Sequence, residues 1–138
     1  MKIYHSIDDF SKLNNAVVTS GTYDGVHIGH QRILGRLKEI AEKYKGETVV
    51  ITFWPHPRLV LYPEENTLQV LNTFEEKAEL LREQGIQHLL RIPFTKEFSQ
   101  ISSQEFIDNI LVKQIGTKKL VIGYDHRLEK TEKGALNN

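Results

Sequence analysis

The stretch that decides the fold is Ala16-Val-Val-Thr-Ser20 followed by Gly21-Thr-Tyr-Asp-Gly-Val-His-Ile-Gly-His30. The first five residues are short, apolar and β-branched, as a strand covered on both faces requires. Beyond His30 the apolar residues Ile33, Leu34, Leu37, Ile40, Ala41 and Tyr44 recur at helical spacing. The stretch is therefore a strand-to-helix turn rich in glycine. In a doubly wound sheet such a turn lies at the carboxyl end of a strand, where ligands bind, and Ala16 to Ser20 is expected to be the central strand. Gly21, Gly25 and Gly29 let backbone pass close to a ligand, and the helix turns free amides and its positive dipole end toward the same space.

The rest of the chain extends this unit. Ser6 is expected to cap a brief helix over Asp8 to Leu13, after a lead-in at Met1 to Tyr4. The helix from Gln31 to Lys45 ends at Gly46. Glu47 to Phe53 is a second strand, stopped by Trp54-Pro-His-Pro57. Thr73 and Glu76 form a capping box for a helix over Phe74 to Gln84. Gln87 to Ile92 is a third strand. Ser102 or Ser103 caps a helix to Val112, Gly116 ends it, and Lys118 to Gly123 is a fourth strand. Strand and helix alternate throughout. The fold expected is α/β, Rossmann-like and doubly wound, with a mostly parallel sheet and helices on both faces.

Composition narrows the chemistry. The 138 residues suffice for one domain with a core. Eighteen basic residues balance eighteen acidic ones, so no electrostatic case for a nucleic-acid partner arises. Cysteine is absent, which removes disulfides and thiolate chemistry. No apolar run is long enough to span a membrane and no secretory signal opens the chain, so a cytoplasmic protein is expected.

His27 and His30, three residues apart, share a face if both lie on the first helical turn. Two imidazoles there can donate to a triphosphate and offset charge on the bridging oxygen as an α–β phosphate bond breaks. The pair could instead be half a metal site, but no third ligand stands nearby, so no metal site is expected. The dinucleotide fingerprint and the P-loop pattern are both absent.

Gly21 to His30 resembles the signature of the HxGH nucleotidyltransferases, which transfer a nucleoside monophosphate and release pyrophosphate. Thr52-Phe-Trp-Pro-His-Pro-Arg58 is similar to a segment of bacterial FAD synthetases. Further segments follow in the family's order: Leu71-Asn-Thr-Phe-Glu-Glu-Lys77 resembles its next helix start, Pro93-Phe-Thr-Lys-Glu-Phe98 and Glu105-Phe106 resemble its acceptor-side segment, and Val121-Ile-Gly-Tyr-Asp-His-Arg127 resembles the loop that helps form its flavin pocket. The resemblance implies an N-terminal adenylyltransferase module that joins FMN to the AMP of ATP with Mg²⁺, ordinarily followed by a riboflavin kinase module.

Residue by residue, the resemblance gives His27 and His30 the catalytic contacts to the ATP phosphates. Gly21, Thr22, Tyr23, Asp24, Gly25 and Gly29 cradle ATP. Pro55, His56, Pro57, Asp125 and Arg127 line the flavin side. Arg58 is an alternative to His56 as a partner for the FMN phosphate, being the better bidentate donor. Trp54 could stack on a flavin, though core packing is the expected role. Two other readings stay open: a related nucleotidyltransferase with another acceptor, and a non-catalytic nucleotide-binding remnant.

The module is expected over 1–127, with 128–138 a disordered tail and no riboflavin kinase domain. Family members continue to a serine-serine-threonine segment with an arginine on the triphosphate. Its loss is expected to weaken the hold on ATP by about 2–5 kcal/mol. Arg127-Leu-Glu-Lys-Thr-Glu-Lys-Gly-Ala-Leu136 is also what a family-like segment encodes after loss of a single base, so a frameshift is the expected origin of the tail.

Overall fold

The computed structural model of the chain describes residues 1–21, 28–55, 61 and 73–121. Five strands form one sheet: β1 (Lys2–Tyr4), β2 (Ala16–Ser20), β3 (Glu47–Trp54), β4 (His88–Pro93) and β5 (Thr117–Val121). Their order is β1-β4-β3-β2-β5, and every pairing is parallel. The helices are α1 (Ile28–Lys43), α2 (Phe74–Glu83), the short α3 (Lys96–Ser99), and α4. The last opens at Ser103–Glu105 and widens into π-helical turns over Phe106–Ile115.

Side chains alternate across the strands, and this period of two builds two cores. On one face Val17, Val50, Leu89 and Val121 meet Leu34, Leu37 and Ala41 of α1 and Phe74, Ala78 and Leu81 of α2. On the other, Val18, Val49, Ile51, Leu90, Ile92 and Leu120 meet Phe106, Ile107, Ile110 and Leu111 of α4. Helices thus cover both faces, as expected of a doubly wound parallel sheet. The chain steps from β2 to β3 to β4 in one direction, then crosses back to place β5 on the other flank of β2. That reversal is the topological switch, and β2 lies at it.

Several local expectations need correction. The lead-in Lys2–Tyr4 is a parallel edge strand on β4. The brief helix is a 3₁₀ turn over Ile7–Asp9, and the Ser6 side chain makes no capping hydrogen bond, because its own backbone is fully extended. β3 is the middle strand, with β2 interior beside it. The left-handed residue that ends α1 is Lys45, at φ 55°, rather than Gly46. Gly46 is needed for space: a Cβ there would lie 2.6 Å from the Asn15 carbonyl oxygen. Its amide donates back to Ala41 O at 2.7 Å, closing the helix end.

Two termination signals act as read. Thr73 Oγ1 accepts from the Glu76 amide and Glu76 Oε1 accepts from the Thr73 amide, a complete capping box on α2. Gly116 ends α4 at φ 86°. Its amide donates to Leu111 O, and its carbonyl accepts from Ala16 N at 3.1 Å. One residue therefore ends α4 and fixes β5 beside β2.

Candidate active site

In an all-parallel sheet every strand has its carboxyl end on the same edge. Gly21 leaves β2 there, with its amide donating to Ile51 O of β3 at 3.0 Å. Pro55 leaves β3 there, exposed, after a cis Trp54–Pro55 peptide bond. The chain after Val121 leaves β5 there too. Three sequence segments up to about a hundred residues apart, carrying the glycine–histidine turn, the proline wall and the Gly123 to Arg127 stretch, thus depart from one edge.

Of the residues singled out in the sequence, Gly21 is half-buried at the end of β2, and Gly29 lies in the first turn of α1. His30 is on that same turn, so its backbone faces the carboxyl edge; its side chain lies outside the description. Thr22, Tyr23, Asp24, Gly25, His27, His56, Pro57, Arg58, Asp125 and Arg127 also lie outside the described residues. The helix starts at Ile28, immediately after His27, so its free N-terminal amides open at the switch point as expected.

Two packing arrangements at this edge add to the sequence reading, the first of them joining Phe53 to the acceptor-side segments that hold Phe94, Phe98 and Phe106. On the α4 face, four phenylalanines converge. Phe53 lies 5.9 Å from Phe94, 5.7 Å from Phe98 and 6.2 Å from Phe106, centroid to centroid. Phe98 is also 5.8 Å from Phe94 and 6.1 Å from Phe106. Tilted and edge-to-face pairs at these distances are the favoured arrangement of aromatic rings. Phe53 and Phe98 stay half-buried, so they present an apolar surface near Pro55.

On the opposite face the edge is cationic. Thr52 of β3 is in register with Arg91 of β4, and both point to the α1–α2 side. Lys77 of α2 is 1% exposed, and its Nζ donates to Thr52 Oγ1 at 3.4 Å. The same Nζ lies 5.8 Å from the centroid of Trp54, which is half-buried rather than packed into the core as expected. The Arg91 guanidinium lies 4.7 Å from the Phe74 ring centroid, and His5, just past β1, is 5.8 Å from the same ring. The buried ends of β2, Thr19 and Ser20, are polar as well. Lys77 could have been suspected because it falls on the apolar face of its helix, in line with Ala78, Leu81 and Phe74.

The arrangement has an apolar aromatic side, a cationic side and a helix N-terminus on one sheet edge. It suits a ligand with both a flat ring and phosphates. Among the described residues no helix is long and apolar enough to cross a membrane, and no cluster of three His, Asp or Glu could hold a metal.

Known proteins bear on this geometry. The chain is 35% identical over 138 residues to a bifunctional riboflavin kinase/FMN adenylyltransferase of Buchnera aphidicola, covering 99% of this chain and 44% of that one. It is 34% identical to the protein of the same description from Listeria monocytogenes, covering 99% and 43%. The chain therefore spans less than half the length of these curated relatives. A solved structure described as a macrolide-efflux protein from Streptococcus pneumoniae superposes with a TM-score of 0.78 at 26% identity, covering 90% of this chain and 48% of that one. The sequence profile of the FAD synthetase family matches residues 9–138, and the chain belongs to that family.

Proposed function

We propose that the chain transfers AMP from ATP to FMN, forming FAD and pyrophosphate. One observation carries this reading. The parallel order of β2, β3 and β5 sends the glycine–histidine turn, the proline wall and the segment after Val121 from a single edge. That edge has aromatic rings on one side and cations on the other. The likeness to riboflavin kinase/FMN adenylyltransferases supports FMN as the acceptor.

In this mechanism a phosphate oxygen of FMN attacks the α-phosphorus of ATP. The bond from that phosphorus to the α–β bridging oxygen breaks, and pyrophosphate leaves. Gly21, Thr22, Tyr23, Asp24, Gly25 and Gly29 let the backbone approach the triphosphate. His27 and His30 donate hydrogen bonds to it and offset the charge that develops on the bridging oxygen. The N-terminal amides of α1 point the same way. Pro55, His56, Pro57, Arg58, Asp125 and Arg127 form the flavin side, and Phe53 and Phe98 offer an apolar surface at the same sheet edge. Mg²⁺ enters bound to the substrate triphosphate. A riboflavin kinase, the second activity of the curated relatives, supplies FMN, and the cytoplasm is the compartment where these substrates meet.

Incubation of the protein with FMN and MgATP, with products resolved by chromatography, tests the reading. FAD and pyrophosphate are expected in equal amounts. Replacing His27 or His30 with Asn is expected to lower the rate by about a hundredfold, the scale of losing one donor to a developing charge. Retained ATP binding with no FAD above the blank refutes the proposal.

A further inference from the structure

Arg91 carries a guanidinium that the fold holds and does not use. It lies near the carboxyl end of β4, half-buried, two residues beyond Leu89 on the α1–α2 face. Its Cζ is 4.7 Å from the centroid of the Phe74 ring. Phe74 opens α2 and is 5% exposed, so that ring is a fixed platform. Among the described residues the guanidinium makes no ion pair and no hydrogen bond. Glu75 and Glu76, the acids beside Phe74, are exposed, and Glu76 is engaged in the capping box with Thr73. Polar groups drawn from water ordinarily find partners, and here a whole fork of N–H donors is left over.

The stacking indicates what the donors are for. An aromatic face attracts the guanidinium and holds its plane, while the N–H rim stays open to an anion. A guanidinium fixed in this way loses little further freedom on binding. Its place in the sheet names the anion's owner. β4 borders β3, which delivers Pro55 and the flavin side, and does not border β2, which delivers the glycine turn. Arg91 pairs with Thr52, the residue after Ile51, whose carbonyl accepts from the Gly21 amide. Arg91 is therefore nearly level with the glycine turn and two strand spacings, about 10 Å, to one side of it. With the ATP triphosphate on the turn, an anion at Arg91 belongs to the acceptor.

We propose that Arg91, held on the Phe74 ring, binds the phosphate group of the acceptor and so selects a phosphorylated flavin over an unphosphorylated one. The guanidinium fork takes some of the phosphate oxygens and leaves another free to attack the α-phosphorus of ATP. Arg91 adds to the cation expected from His56 or Arg58. The assignment rests on the adenylyl-transfer reading above for the identity of the acceptor.

The test uses the full chain and separate variants. Arg91→Met keeps an apolar stem and removes the charge. Arg91→Lys keeps the charge and removes the fork. Phe74→Leu keeps a buried apolar side chain and removes the platform. Quenching of flavin fluorescence gives the affinities for FMN and for riboflavin, which lacks the phosphate. Chromatography of FAD gives KM for FMN and for MgATP, and circular dichroism follows folding. Arg91→Met is expected to bind FMN about tenfold more weakly, the low end for a hydrogen bond to a charged group, with riboflavin affinity unchanged. Its KM for FMN rises by the same factor, and its KM for MgATP stays at the parental value. Arg91→Lys and Phe74→Leu are each expected to lose about threefold in FMN affinity, a fraction of that interaction.

The idea is overturned if Arg91→Met binds FMN within about twofold of the parent. It is equally overturned if the affinities for FMN and riboflavin fall together, as a merely structural role of Arg91 predicts. Should Arg91→Met not fold, Arg91→Lys decides alone, and parental FMN affinity in that variant sinks the proposal. A parent chain that makes FAD yet binds riboflavin as tightly as FMN overturns the Arg91 assignment and leaves the adenylyl-transfer reading standing. A parent chain that prefers FMN to riboflavin and makes no FAD refutes that reading and leaves the Arg91 assignment to stand or fall on the titration. A parent chain that binds neither flavin overturns both.

Discussion

Replacing Gly116 with Ala should destabilise the protein more than any other exchange of a described glycine for alanine. Gly116 has φ 86°, a conformation that costs an alanine about 1–2 kcal/mol. Its Cβ would fall 1.9 Å from the Leu13 carbonyl oxygen and 3.0 Å from the carbonyl carbon. These are backbone atoms and cannot rotate aside. Relief requires the α4–β5 junction to move, which strains the bonds from Leu13 N to Ile115 O and from Ala16 N to Gly116 O, at 3.0 and 3.1 Å. Each is worth about 1 kcal/mol. The total is about 3–4 kcal/mol, a large share of the ~5–15 kcal/mol that stabilises a domain.

Urea unfolding monitored through Trp54, the lone tryptophan, measures this directly. At a slope of about 2 kcal/mol/M the midpoint should fall by about 2 M. Gly35→Ala is the internal control. Gly35 lies within α1, and a Cβ there meets nothing within 4 Å. The same chemical change should stabilise by about 0.5–1 kcal/mol. Opposite signs are therefore expected from one substitution type. A Gly116→Ala midpoint within about 0.5 M of the parent, a difference of ~1 kcal/mol, or no lower than that of Gly35→Ala, refutes the steric argument.

Lys45→Gly should raise stability by about 1 kcal/mol, read from the same urea curves, because φ 55° strains a lysine and suits glycine. Thr117 Oγ1 is buried and, among the described residues, has no hydrogen-bond partner; Thr117→Val should therefore be stabilising by about 1 kcal/mol, measured by calorimetric melting. Thr73→Ala should cost about 1 kcal/mol by removing half of the α2 capping box, with a matching fall in melting temperature.

Tyr4 predicts an alkaline limb. Burial and then the Glu47 charge raise its phenol above the usual 10.0. A raised folded pKa gives stability that is complete below the unfolded value and lost as pH rises through the folded one. The parent should therefore weaken above about pH 10, whereas Tyr4→Phe, less stable at neutral pH, should lack that dependence in pH-resolved melts. The His88 ring joins the two groups: Tyr4 OH lies 2.9 Å from His88 Nδ1, and His88 Nε2 lies 2.9 Å from Glu47 Oε1, which holds the Glu47 carboxylate close to the phenol.

The alternating pattern made the α/β fold legible, because Val17, Val50 and Leu89 on one face and Val18, Val49 and Leu90 on the other need both layers of helices. The capping box at Thr73 and the stop at Gly116 were legible for local reasons. Residues 2–4 were not, since three residues carry no period and become a strand only because the flank of β4 is open to them. Lys45 escaped notice because Gly46, beside it, is the usual left-handed residue; the need for space against Asn15 is tertiary information. At the site, Gly21 and the start of α1 follow from the motif. The packing of the four phenylalanines does not, because only the strand order brings Phe53 to Phe94, Phe98 and Phe106, and for Lys77 the one local signal is its place on the apolar face of α2.

The placement of β5 also sets a clock. β2 ends at Ser20 and its partner on that flank begins at Thr117, roughly a hundred residues later. A ribosome adding about 5–20 residues per second needs about 5–20 s to cross that gap. Throughout that interval one flank of β2, the strand that delivers the glycine turn, has no neighbour to take its ladder bonds. The nascent chain therefore emerges with its most functionally important strand as a bare edge, open to pairing with other chains. Its yield in the cell should depend on what shields that edge until Val121 has emerged.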